Sequence, residues 1–226
     1  MFDRRAKELI AALGRPSGLQ VTLTLRRRSL TCPEMARQIL IHPDPRLRKV
    51  CDEITDFGAD TVALFEELLG TMYEAPGLGL AAPQIGVLKR MLVMDCSKTD
   101  EGEDPAPICM INPQVVTRAD ETSEREEGCL SLPRIFMPIT RPAAVRVRYQ
   151  DPEGAEHERD FEGLWATCVQ HEMDHLDGKL FVDYISGTRR AMITQKMKRL
   201  KRDIPRDPDL YPYSDAARMR RAAEQS

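Results

Sequence analysis

Two histidines and a glutamate stand within the most apolar helix-like segment of the sequence. Residues 164–176 carry apolar side chains on nearly every face, a pattern typical of a helix buried in the protein interior. The same segment contains His171, Glu172 and His175. Because the histidines are four residues apart, a helix places them on one face, about one turn from each other. Buried histidines and carboxylates are unfavourable unless they are paired or bind a metal ion. The segment therefore predicts a metal site in the interior of the fold.

Two histidines supply only part of a catalytic metal site, which usually has three protein ligands and one position for water. Glu172 lies between them as a candidate proton acceptor and donor. Cys129 is a candidate third ligand, because Gly128 before it lets the backbone approach closely and because a thiolate with two imidazoles suits Fe(II) or Zn(II). The other candidates are His42, His157, Asp177 and Asp183.

A glycine-rich segment precedes these motifs in the chain. Gly77 and Gly79 permit unusual backbone angles and close contact with a ligand, and a polar amide follows at Gln84. No lysine stands where a phosphate-binding loop would require it. The segment is either part of a ligand site or a tight turn whose Gln84 faces solvent.

The rest of the sequence predicts an α+β fold. Apolar residues at spacings of three and four indicate an amphipathic helix over residues 61–73. Residues 145–149 alternate between apolar and charged, and residues 157–161 are expected to return as the hairpin partner. Further short strands are predicted at residues 91–94, 108–111 and 115–116. Because this is no regular βαβ series, we expect small antiparallel or mixed sheets packed around the buried helix that carries the His-Glu-x-x-His motif.

The chain divides by composition into three parts. We expect residues 1–34 to be a poorly ordered N-terminal extension, or translated codons ahead of a start at Met35. Their apolar run is too short for a secretory signal, and their acidic residues fit a transit peptide poorly. We expect residues 35–187 to form a metallohydrolase catalytic domain and residues 188–226 to form a basic C-terminal helix and tail.

The overall composition excludes several classes of protein. The 226 residues include 33 Lys and Arg against 36 Asp and Glu, so the balance does not indicate a strongly basic nucleic-acid binder. No apolar run approaches the roughly 18 residues of a membrane-spanning helix. The six cysteines are widely spaced and form no Cys-x-x-Cys pair, which favours reduced thiols and an intracellular, cytoplasmic location.

Three motifs, taken together, resemble those of the peptide deformylase family. They are GLGLAAPQ at 77–84, EGCLS at 127–131 and QHEMDH at 170–175, and they occur in the order typical of that family. The similarity extends from about Ile39 to Tyr184 and leaves out residues 1–34. The family removes the formyl group from the initiator methionine of newly made bacterial or organellar proteins, so the resemblance implies nascent formyl-methionyl polypeptides as substrates and a cytoplasmic, bacterial-type enzyme.

The resemblance also assigns roles to individual residues. It implies that Glu172 is the general base and acid, and that Gln84 and the backbone N–H of Leu130 bind the oxyanion. The implied metal ligands are Cys129, His171 and His175. The implied substrate contacts are Leu78, Gly79 and Gly128. The ion implied is one Fe(II) per chain, although zinc, nickel or cobalt can occupy such a site.

Two other functions are compatible with the motifs, and the C-terminal helix suggests a binding partner. A metalloendopeptidase would share the histidine motif, and a non-catalytic metal or peptide binder could retain the site. Eight Lys and Arg between Arg189 and Arg206, against the single acid Asp203, suggest docking on ribosomal RNA. The same charges equally suit a solvated face over an apolar stripe. We expect a monomer that does not bind membranes.

Overall fold

A computed structural model describes residues 37–75, 77–97, 105–207 and 211 of the chain. Within these residues the α-helices are α1 Ala59–Glu74, α2 Gly163–Leu176 and α3 Gly187–Asp203. The strands are β1 Gly79–Ala81, β2 Met91–Met94, β3 Ile108–Arg118, β4 Thr122–Cys129, β5 Leu132–Pro142, β6 Ala144–Gln150 and β7 Glu156–Glu162. The predicted extension at residues 1–34 lies outside the described residues, as does most of the chain beyond Asp207.

The strands form two antiparallel sheets. One has five strands in the order β1-β2-β3-β6-β7, and the other is the hairpin of β4 and β5. This arrangement confirms the predicted α+β class with antiparallel sheets. Residues 108–111 and 115–116, predicted as two strands, belong to the single strand β3, whose pairing with β6 contains two register shifts.

Periodicity explains the hairpin of β6 and β7. Val145 and Val147 are buried on β6, whereas the intervening Arg146 faces solvent and pairs with Asp160 of β7 at 2.7 Å. The predicted hairpin is confirmed, with Tyr149 opposite His157. Strand β2 is buried along its whole length, which fits its position between two neighbouring strands and its wholly apolar sequence.

The helices lie close to their predicted limits. Helix α1 begins after Gly58 and buries Leu68 and Met72 completely. Helix α3 places Met197 in the core, with Ile204 and Tyr211 in the same apolar cluster, so this part of the chain packs onto the domain that precedes it. The division at residues 187/188 stays a prediction. Among the described residues, no helix has the length and apolar character that crossing a membrane requires.

Candidate metal centre

Helix α2 and the end of strand β4 bring three potential metal ligands together. The Sγ atom of Cys129 and one ring nitrogen each of His171 and His175 all lie within 4.8 Å of one another. Sγ of Cys129 is 3.3 Å from Nε2 of His175, and the two imidazole rings are 5.1 Å apart in an edge-to-face arrangement. Cys129 precedes His171 by 42 residues, so the tertiary fold rather than local sequence creates the cluster.

The second nitrogen of His171 is held by a carboxylate. Nδ1 of His171 donates to Oε2 of Glu127 over 2.8 Å, and this leaves Nε2 as the nitrogen available to a metal. A carboxylate behind a metal-binding histidine fixes the orientation of its ring. Burial raises the pKa of Glu127, but the hydrogen bonds from His171 and Arg141 outweigh burial and hold that pKa below its ordinary value.

A buried arginine connects Glu127 to helix α2 at a second point. Arg141 of strand β5 donates to both carboxylate oxygens of Glu127, at 2.5 and 3.0 Å, and to Oδ2 of Asp174 at 2.8 Å. Asp174 also accepts a hydrogen bond from the hydroxyl of Tyr184. Only 5 % of Arg141 is exposed, so these contacts satisfy a charge that would otherwise be buried without partners.

Glu172 is buried beside the ligand cluster. Its pKa is raised to about 7, because burial disfavours the charged carboxylate. Among the described residues its Oε2 atom has no hydrogen-bond partner. A carboxyl group with a pKa near neutrality can both accept and release a proton at physiological pH.

The glycine-rich segment lies directly against Glu172. A Cβ atom built on Gly79 would come within 2.5 Å of Oε1 of Glu172 and within 2.8 Å of its Cγ. A Cβ on Gly77 would lie 2.7 Å from Cδ1 of Leu130. These two glycines therefore permit strand β1 and the chain before it to approach both the carboxylate and the turn after Cys129.

Gln84 faces the cluster and not solvent. It is 1 % exposed, and its Oε1 accepts a hydrogen bond from the backbone N–H of Ala81 at 2.8 Å. Its Nε2 donates to Oγ of Ser131 at 3.2 Å and points to Sγ of Cys129 at 3.6 Å. The alternative of a solvated Gln84 is therefore wrong.

The other predicted substrate contacts and the Leu130 backbone lie in the segments next to the cluster residues. Leu130 is in the turn directly after Cys129, and Leu78 directly precedes β1. Gly128 is in contact with the ring of Phe136, where a Cβ would come within 2.6 Å.

The remaining ligand candidates have other partners: His42 contacts Thr194, His157 contacts Asp151, Asp177 pairs with Arg90 and Asp183 pairs with Arg48. Cys51, Cys96, Cys109 and Cys168 are buried, as expected of small core residues.

The donor set fits a divalent cation. One sulfur and two imidazole nitrogens form a mixed soft and borderline set that suits Fe(II) or Zn(II). Burial lowers the pKa of His175 well below its ordinary value, which favours the neutral form that binds metals. Fold and site together define the class: an α+β protein in which a His-Glu-x-x-His helix and a neighbouring hairpin bring two histidines and a cysteine into one potential metal site.

Comparisons with known proteins identify the family. The polypeptide deformylase family model matches residues 36–191. A peptide deformylase of Rhizobium meliloti (strain 1021) is 50 % identical over 160 residues, which are 71 % of this chain and 91 % of that protein. The chain belongs to the polypeptide deformylase family, so the predicted resemblance is confirmed.

Solved structures agree with this assignment. A crystal structure of a peptide deformylase from Legionella pneumophila superimposes with a TM-score of 0.70 at 42 % identity, covering 76 % of this chain and 99 % of that one. A peptide deformylase from Ehrlichia chaffeensis in complex with actinonin also gives a TM-score of 0.70, at 38 % identity, covering 74 % and 98 %. Members of the family are hydrolases that act on an N-formyl amide, which confirms the predicted class of enzyme.

Proposed function

We propose that this chain hydrolyses the N-formyl group from the N-terminal formyl-methionine of newly synthesised proteins and releases formate. One observation carries the proposal: Cys129, His171 and His175 converge while Glu172 lies buried against Gly79. The acceptor and donor of protons is thus next to the ligand cluster, and the glycine opposite lets the backbone pack directly against it.

We infer that the resident ion is Fe(II), one per chain, in a site that zinc, nickel or cobalt can also occupy. The ligands are Cys129, His171 and His175, and the mixed sulfur and nitrogen donors support this choice. When bound, the ion supplies Lewis-acid chemistry, polarising the formyl carbonyl and lowering the pKa of water. In this arrangement α2 is the central helix around which both sheets are organised.

Glu172 transfers the proton in this mechanism. It accepts a proton from the attacking water and delivers it to the departing amine nitrogen, so that the C–N bond breaks to give formate and a free amino terminus. Its burial supports both roles, because a pKa of about 7 leaves the carboxyl able to accept and release a proton at neutral pH.

Two donors stabilise the charge that develops on the formyl oxygen. They are Nε2 of Gln84 and the backbone N–H of Leu130. The side chain of Gln84 is held by its contact with Ala81, and Leu130 lies in the turn directly after Cys129. The loss of one such donor typically lowers the rate about 100- to 1,000-fold.

Selectivity for a formyl group follows from the close packing at Gly79, where Glu172 lies directly against the backbone and leaves little room for a bulky group. A formyl carbon carries only hydrogen, so it can approach Glu172 where a larger acyl group would collide with the backbone. Leu78, Gly79 and Gly128 are proposed to contact the substrate. An apolar pocket for the methionine side chain would discriminate by about 1–3 kcal/mol per methylene.

A formyl-peptide assay tests the proposed function. Formate release is measured with a formyl-Met tripeptide and with its unformylated twin, using anaerobically purified protein whose metals have been determined by elemental analysis. We expect rapid formate release from the first peptide and no cleavage of the second. Glu172→Gln should keep the ion and lose turnover. Cleavage within an unformylated peptide would instead support a metalloendopeptidase, and bound metal without turnover would support a binding protein.

A second proposal concerns where the enzyme works. All eight cations from Arg189 to Arg206 are exposed, whereas Met197 on the same helix is buried in the core. We infer that this face docks on ribosomal RNA in the cytoplasm while the chain remains monomeric. Because Met197 belongs to the core, charge reversal is a better test than deletion. Lys196→Glu with Lys198→Glu should reduce co-sedimentation with ribosomes at low salt, and unchanged co-sedimentation would contradict docking.

A further inference from the structure

Tyr211 reaches the turn that follows the ligand cysteine. Its hydroxyl donates to the backbone carbonyl oxygen of Leu130 over 2.9 Å, across 81 residues of sequence. The residue is 1 % exposed and belongs to the same apolar cluster as Met197 and Ile204 of the C-terminal region. It lies beyond residues 36–191, the part of the chain that the family model matches.

The turn itself is short and has an unusual backbone. Leu130 and Ser131 connect β4 to β5 where Cys129 is paired with Leu132, and the register shifts between this pair and the pair of Gly128 with Phe136. Two-residue hairpins favour turn types with positive φ at one or both central residues. Neither Leu130 nor Ser131 has a positive φ. The turn therefore does not have the conformation that two-residue hairpins favour, and contacts with the rest of the fold help to hold it.

Those contacts come from two sides. Ser131 is fixed by the core, because its Oγ accepts from Gln84 and its carbonyl accepts from the backbone N–H of His42 at 2.9 Å. The Leu130 carbonyl belongs to the peptide that joins Leu130 to Ser131, so it lies on the same residue as the N–H assigned to the oxyanion. The hydroxyl of Tyr211 fixes that peptide.

We propose that Tyr211 is a positioning residue for deformylation. Its hydrogen bond to the Leu130 carbonyl holds the turn in the conformation that presents the Leu130 N–H to the developing oxyanion. The inference rests on the proposed function, because it assigns the N–H of Leu130 to the oxyanion. Tyr211 thus supports the reaction through Leu130 and not through a contact of its own with the substrate.

The test is Tyr211→Phe in the full chain. The ring stays in its apolar cluster, so only the hydroxyl is lost. We expect kcat for a formyl-Met tripeptide to fall about fivefold, within roughly two- to tenfold, which is the rate equivalent of one neutral hydrogen bond. KM should stay within about twofold, since an oxyanion donor acts mainly in the transition state.

A second readout does not depend on activity. Amide hydrogen exchange of the segment covering residues 128–133 should accelerate about fivefold in Tyr211→Phe, because the turn opens more often. Tyr149→Phe is the matched control: it removes the hydroxyl of another buried tyrosine, on β6, which is stacked on His157. It should leave both kcat and the exchange of this segment unchanged.

The outcomes separate the two proposals. Wild-type kcat in Tyr211→Phe, unchanged exchange of the turn, or an equal loss in Tyr149→Phe would each overturn the role of Tyr211. A wild-type protein that releases no formate would contradict the proposed function instead. In that case the exchange measurement alone decides whether Tyr211 holds the turn.

Discussion

Replacing Gly79 by alanine should disable the enzyme through a steric effect on Glu172. The added Cβ would stand 2.5 Å from Oε1 and 2.8 Å from both Cγ and Cδ of Glu172, whereas ordinary contacts begin at 3.4 Å. The carboxyl group must therefore move by about 1 Å, and because Cγ is involved, rotation of the terminal group cannot relieve the clash. A misplacement of about 1 Å typically costs about 100-fold in rate.

We expect kcat/KM for formate release to fall about 100-fold in Gly79→Ala. The bound metal should stay near one equivalent, because the substitution leaves Cys129, His171 and His175 in place. Overpacking should lower the free energy of unfolding by about 1–3 kcal/mol. The measurements are steady-state kinetics, elemental analysis and chemical denaturation on the same preparations.

Gly70 provides the matched control. It lies in helix α1, and a Cβ there would meet nothing within 4 Å. Gly70→Ala should keep full activity and raise the free energy of unfolding by about 0.5–1 kcal/mol, because alanine is the better helix former. A Gly79→Ala variant that retained kcat/KM within about threefold of wild type would show that this glycine is not needed to make room for Glu172.

Three further predictions test other parts of the structure. Glu127→Gln should weaken metal retention about 10- to 100-fold in a chelator titration, since Glu127 orients His171; unchanged retention would remove that role. Hydrogen bonds from Arg46 lower the pKa of Asp44 to about 2 in the fold, against 3.8 for the free side chain. Stability from this group is therefore present above about pH 4 and lost as the pH falls toward 2. Asp44→Asn should lower the free energy of unfolding by about 1–2 kcal/mol at pH 7, discounted for the half-exposed arginine, and the loss should shrink at pH 2.5 in denaturant titrations. Cys129→Ala should release the ion more readily, and peroxide should inactivate the wild-type protein by oxidising this thiolate; resistance to peroxide would argue against a metal-bound sulfur.

The sequence was most informative where local patterns and burial coincide. The apolar residues around His171 and His175 predicted both the helix and the buried cluster, because a solvated helix would not carry apolar side chains on nearly every face. The alternation from Val145 to Tyr149 predicted the β6–β7 hairpin, which the structure contains. In both cases the side chains that determine the structure lie within one turn or one strand of each other.

Contacts between residues far apart in the chain leave no local pattern in the sequence from which they could be predicted. The hairpin of β4 and β5 was not predicted, because its first strand is rich in glutamate and mostly exposed, without an alternating apolar face. Arg141 is 33 residues from Asp174 and 14 from Glu127, and nothing in the local sequence marks it as their buried partner. Tyr211 was missed for the same reason.

The ion network shows how the fold joins these distant parts. Burying Arg141 with two carboxylates contributes little to stability, since well-packed apolar residues can often replace such groups without loss. The consequence is geometric, because Arg141 connects β4 to α2. Glu127 and Cys129 are two residues apart, so they lie on the same face of β4 and point toward that helix. A slip of one residue in β4 would turn both side chains away from the histidines. The register of the β4–β5 hairpin therefore determines whether the site exists. The proposed role of Tyr211, whose hydroxyl donates to the Leu130 carbonyl, is to stabilise the turn of this hairpin from a position distant in sequence.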